Sequence, residues 1–131
     1  MTTSIRLFVA ACLVTGASLS TSADQVFPLS RIMHEKLDHS QAILKAVLTS
    51  DWATLDRESR ALALTVRDPA WTAALTEREY IRQSDAFSRA LQDLIEASAT
   101  RELETAGTAQ INLTITCVRC HAHMARRRIA K

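Results

Sequence analysis

Glycine and proline are nearly missing from this chain, with 2 of each in 131 residues. Gly16 lies in an N-terminal apolar stretch, which leaves Gly107 as the one glycine beyond it. With so few breakers, and with alanine, leucine, glutamate and arginine prominent, the composition favours helix. An excess of one charge is missing too. The 16 Lys and Arg stand against 14 Asp and Glu, and nothing in that balance suggests a nucleic-acid binder. The longest apolar stretch, Leu7 to Leu19, is interrupted by Thr15, Gly16 and Ser18 and is too short for a membrane span. No internal repeat, low-complexity run or long linker divides the remainder, which is long enough for one core. No nucleophile–base pair or carboxylate dyad stands out, so no enzymatic activity is expected.

That apolar stretch has another use. Arg6 precedes it and Ser20-Thr21-Ser22-Ala23 follows it, the charge, apolar core and small-residue cleavage site of a secretory signal peptide. Cleavage after Ala23 divides the chain into a leader, 1–23, and one mature domain, 24–131. Loss of Arg6 leaves 15 Lys and Arg against 14 Asp and Glu, a net charge of +1. Val9-Ala10-Ala11-Cys12 has the look of a lipoprotein box, which would anchor the protein to a membrane by lipid. Only Leu7 to Ala11 separate Arg6 from Cys12, however, fewer than the roughly 7–15 apolar residues such a segment uses. The reading preferred here leaves Cys12 inside the removed leader and the mature protein in the periplasm. Its only cysteines are then Cys117 and Cys120.

Those two belong to Cys117-Val118-Arg119-Cys120-His121, the C-x-x-C-H spacing of covalent c-type haem attachment. Two thiols one helical turn apart can each add to a vinyl group on one porphyrin edge, and the adjacent imidazole can ligate the iron. By average residue usage the motif arises by chance in about one chain in a thousand of this length. Other readings of the pair compete. A thioredoxin-like redox pair needs a βαβ setting, and nothing here alternates strand and helix. A structural zinc site needs two ligand pairs, and besides His123 the other histidines are His34 and His39. A plain disulfide across the motif is compatible with an oxidising compartment.

Periodicity predicts four helices. The first runs from Pro28 to Leu48, with Leu29, Met33, Leu37, Leu44 and Leu48 as its inward stripe and Ile32, Ile43 and Val47 beside it. Ser50 or Asp51 caps a second, to about Val66, with Leu55, Leu62 and Val66 on one face. Asp68-Pro69 ends it, and Trp71 to Leu75 read as a loop. Thr76-Glu77-Arg78-Glu79 has the form of a capping box opening a third helix, which turns Tyr80, Phe87, Leu91, Leu94 and Ile95 inward. It extends to about Leu103 before a break at Thr105-Ala106-Gly107. The last segment, Ala109 to Arg128, holds the motif. Ile111 to Thr116 alternates like a strand, but one strand in a helical chain has no ladder partner, so helix is expected. The fold class is therefore all-α, an antiparallel up-and-down four-helix bundle with a C-terminal covalent haem site.

An exported four-helix chain with its haem motif at the C-terminal end resembles the class II c-type cytochromes, the cytochrome c′ family. Ordinary class I cytochromes c place the motif near the N-terminus and a methionine ligand well downstream, where this chain has only ten residues after His121. The resemblance implies one haem c per chain, thioether-bound at Cys117 and Cys120, with His121 as proximal iron ligand and the first helix on the distal side. It implies an electron carrier that meets redox partner proteins in the periplasm. Family members often dimerise through the first two helices, although no decisive patch marks that here. The family usually carries a basic residue four positions after the proximal histidine. Ala125 stands there, followed by Arg126, Arg127 and Arg128, which read as a solvated tail at a helix C-terminus.

The first helix then decides function. Low-spin members of the family use a methionine of this helix as sixth ligand, and on the inward stripe drawn above that residue is Met33. The alternative is a five-coordinate haem protein with an open distal side that binds NO or CO, in which Met33 only packs. His34 lies about 100° round from Met33, at the stripe's edge. His39 has polar neighbours and reads as a surface histidine. His123 and Met124 sit too close to His121 in sequence to oppose it across one iron.

Overall fold

The computed structural model describes the backbone of residues 23–129 except 75, and the side chains of residues 29–126 except 74 and 75. Residues 1–22, which hold most of the expected leader and Cys12, lie outside the described residues. The described chain is all-helical: α1 (Ala23–Thr49), α2 (Trp52–Leu64), α3 (Pro69–Ala74), α4 (Arg78–Thr100) and α5 (Leu103–Ile129), with a 3-10 turn over Thr65–Arg67. Helix α1 packs on α2, α2 on α4, α4 on α5, and α5 returns to α1. The main core is Ile43, Val47, Leu55, Leu62, Phe87, Leu91, Leu94 and Leu113, joined by small alanines that let the helices approach. A second, smaller cluster of Ile32, Trp71 and Tyr80 lies toward the motif end, with Met33 and Cys120 packed against it.

The α1–α2 corner forms as the sequence predicts. Ser50 takes a left-handed conformation (φ 54°), and Asp51 Oδ1 accepts the Thr54 N–H at 3.1 Å. This satisfies one of the N–H groups that α2 cannot bond internally. Asp51→Ala is expected to lower stability by about 1 kcal/mol, measured as a shifted denaturant midpoint at unchanged m-value.

Four expectations need correction. Trp71 to Leu75 is not simply a loop, and the bundle has five helices rather than four, because Asp68-Pro69 starts a helix as well as ending one. Asp68 is extended (ψ 132°), as a residue before proline must be, and its Oδ1 accepts the Ala70 N–H at 2.8 Å. With Pro69 in the first turn, α3 follows and carries Trp71 into the core.

The capping box at Thr76 does not form. Glu77 is the N-cap residue and gives no side-chain cap, while the Glu79 carboxylate turns forward to Arg82 at 2.8 Å and Gln83 at 2.7 Å.

The α4–α5 break falls at Arg101, not Gly107. Arg101 adopts a left-handed conformation (φ 57°) and its N–H bonds the Ala97 carbonyl at 2.9 Å, closing α4. Gly107 is simply carried inside α5, with open space where a Cβ would stand.

The fourth correction matters most. Helix α1 is rotated from its expected setting: Leu37, Leu44 and Leu48 are 55%, 46% and 76% exposed, while Ile32, Lys36, Ile43 and Val47 are buried. Its apolar residues fall on two adjoining stripes, Ile32–Ile43–Val47 and Met33–Leu37–Leu44–Leu48, so its own periodicity does not choose between them. Packing does: Ile32 against Trp71 and Tyr80, and Ile43 and Val47 in the main core. Ile111 to Thr116, by contrast, is helical as expected. There the Thr114 and Thr116 hydroxyls donate to the Gln110 and Leu113 carbonyls at 3.0 and 2.7 Å.

Candidate functional site

Helix α5 presents Cys117 and Cys120 one turn apart, both half-buried and free. Cys117 packs against the main core and Cys120 against the Ile32–Trp71–Tyr80 cluster, so the pair joins the two. His121 follows about 100° further round and is exposed, without a hydrogen bond or ion pair among the described residues. His123 is half-buried, with Nε2 3.6 Å from Glu77 Oε2. Met124 and Arg126 are exposed.

The α1 residue whose charge acts on both thiols is Lys36. Its side chain is 9% exposed, and Nζ lies 3.7 Å from the Trp71 ring centroid and 3.6 Å from that of Phe87. Trp71 is held in turn by Tyr80, at 5.3 Å between centroids and tilted 45°, and by its indole N–H, which donates to Ser84 Oγ at 3.1 Å. No carboxylate pairs with the ammonium among the described residues. A lysine this deeply buried without a partner is rare, because the charged form loses its hydration. Burial pulls its pKa from 10.5 down to about 8, against the neighbouring Cys117 and Cys120, which favour the ammonium. Burial also pushes both thiols above their ordinary value, with Lys36 opposing. The Tyr80 hydroxyl is pushed up to about 12, chiefly by burial and then by Cys120.

The other sequence candidates fall into place around this centre. Met33 is half-buried and shares the smaller cluster with Cys120. His34 is exposed, its Nδ1 2.8 Å from the Ser30 carbonyl. His39, expected on the open surface, is half-buried and bonded to Glu58 Oε2 at 2.8 Å, a contact that lowers the Glu58 pKa. Lys36 escaped the sequence reading, although the signal was there. It falls four residues after Ile32 and seven before Ile43, on the stripe that is buried.

Chemically, the donor set fits a covalently attached haem. Two free thiols share one side of a helix, the imidazole beside them has no competing partner, and the interior around the thiols is aromatic and aliphatic. A zinc site fits less well, since no group of three or more His, Cys, Asp or Glu converges among the described residues. Two surface clefts run along α4 and α5, lined by residues such as Asp93, Asn112 and Arg119, and neither reaches the thiols. The space beside the thiols is filled by Lys36 and the Trp71 and Phe87 rings. No helix among the described residues is long and apolar enough to cross a membrane. No protein-family model, curated protein or solved structure matches the chain, and what the site does is read from its own residues.

Proposed function

We propose that this chain is an exported monohaem c-type cytochrome of class II character, an antiparallel up-and-down bundle that carries single electrons between periplasmic partners. Cys117 and Cys120 hold haem c by thioethers, and His121 is the proximal ligand. One observation carries the reading: the C-x-x-C-H pentapeptide lies on one helix with both thiols on the core side and the imidazole unpartnered.

Bound haem supplies a one-electron Fe(III)/Fe(II) couple. The chain's residues set its conditions. Helix α5 fixes attachment and the proximal imidazole together. Leu, Ile and aromatic side chains exclude water, which disfavours the extra charge of the ferric form and raises the potential. Helix α1 provides the distal side, where Met33 shares a cluster with Cys120 and Lys36 lies on the Trp71 and Phe87 rings. A filled distal position favours electron transfer, and an open one favours NO or CO binding. An electrochemical titration of the matured protein, repeated under CO, separates them. A reversible one-electron wave unaffected by CO is expected. Stoichiometric CO binding with a shifted potential would favour the gas-binding alternative.

A further inference from the structure

We propose that Lys36, rather than Met33, supplies the sixth ligand to the haem iron, an inference that rests on the haem reading above. Three observations converge on it. The Lys36 side chain is nine-tenths buried and ends between two aromatic rings, with no carboxylate paired to it among the described residues. Its Nζ rests on Phe87 of the main core, against which Cys117 packs, and on Trp71 of the smaller cluster, against which Cys120 packs, whereas Met33 is only half-buried and packs in the smaller cluster alone. It also rises from α1 on the stripe that faces the core, between Ile32 and Ile43.

Attachment changes what surrounds this amine. A porphyrin bonded to Cys117 and Cys120 must take room that the Lys36 head and the Trp71 and Phe87 rings now fill, so the ammonium loses the ring faces that hold it. No described carboxylate pairs with it, and Glu79, the acid whose charge reaches Cys120, is bonded to Arg82 and Gln83. A coordinate bond resolves this: the ammonium releases its proton to water and the nitrogen lone pair goes to iron. No oxidant or reductant is needed, and the flexible four-carbon stem gives the reach. Two nitrogen ligands also predict a lower potential than a His/Met pair.

The test uses the matured holo-protein and its Lys36→Ala, Lys36→Arg and Met33→Ala variants. Covalent haem is first verified by haem staining after denaturing electrophoresis. Ferric absorption, near-infrared and paramagnetic resonance spectra then report the ligands. Wild type and Met33→Ala are expected to share one low-spin spectrum with the charge-transfer band of two nitrogen ligands. Lys36→Ala and Lys36→Arg are both expected to turn high-spin. Arginine keeps bulk and charge but cannot ligate, so it covers the case in which alanine fails to fold, and it separates ligation from charge pairing with a propionate. A thioether–iron band lost in Met33→Ala, a high-spin wild type, or an unchanged spectrum in Lys36→Arg would overturn the proposal. Wild type without covalent haem would remove the haem reading itself, a different failure visible at the staining step.

Discussion

A chain carrying Cys117→Ala and Cys120→Ala, exported beside c-type maturation proteins, is expected to retain no haem through denaturation. Each thiol adds its S–H across a vinyl group, so each cysteine accounts for one thioether and the two single variants are expected to keep one bond apiece. The loss in the double variant is complete because His121 alone gives a bond that denaturant breaks. Misfolding is a poor rival explanation, since both sulfurs are half-buried at the junction of two clusters rather than within either. Trimming two such groups costs about 1–2 kcal/mol in all. Circular dichroism of the double variant is therefore expected to stay helical. Covalent haem in that variant would contradict the attachment assignment.

The second large effect concerns a residue that weakens the haem-free chain. Lys36 has a folded-state pKa of about 8 against an ordinary 10.5. A base with a depressed folded pKa opposes folding wherever it must be protonated. The penalty is therefore complete below pH 8 and disappears as pH rises to 10.5. That shift corresponds to about 3 kcal/mol, of which two ring contacts return about 1–2 kcal/mol. Lys36→Met, similar in volume and uncharged, is expected to stabilise the haem-free chain by about 1–2 kcal/mol at pH 7. The gain should fade as pH approaches 10.5. Because Lys36 also holds down the pKa of both thiols, the paired urea unfolding curves are measured with Cys117 and Cys120 replaced by alanine in both chains, where their difference isolates Lys36. A variant less stable than its parent at pH 7 would contradict the burial argument. A side chain that costs stability in the bare fold, yet acts electrostatically on the candidate haem-binding cysteines, is the kind of local conflict that functional sites carry.

What could be read from the sequence divides along physical lines. Local signals are reliable where one residue does one job. Asp51 caps α2, and Ile111 to Thr116 is helical despite its alternation, because a lone strand has nothing to pair with. Signals fail where two local solutions are close in energy. Arg101 in a left-handed conformation ends α4 six residues before the glycine that seemed the natural break. Asp68-Pro69 looked like a stop and is also a start. The rotation of α1 lies beyond its own periodicity, since apolar residues on both candidate stripes compete and only tertiary partners select between them: Trp71 and Tyr80 against Ile32, and the main core against Ile43 and Val47. The candidate site divides the same way. Cys117, Cys120 and His121 form one contiguous motif that can be read directly, while the α1 face turned to the core depends on that rotation, which replaces an exposed leucine stripe with one that contains Lys36.

The central claim is that this fold is built to hold one haem by two thioethers. The most direct measurement is the intact mass of the exported, matured protein under denaturing conditions. The account predicts the chain without its leader plus the mass of one haem, lost in full when Cys117 and Cys120 are alanine. A mass equal to the bare chain, or to the bare chain less two hydrogens for a Cys117–Cys120 disulfide, would contradict it.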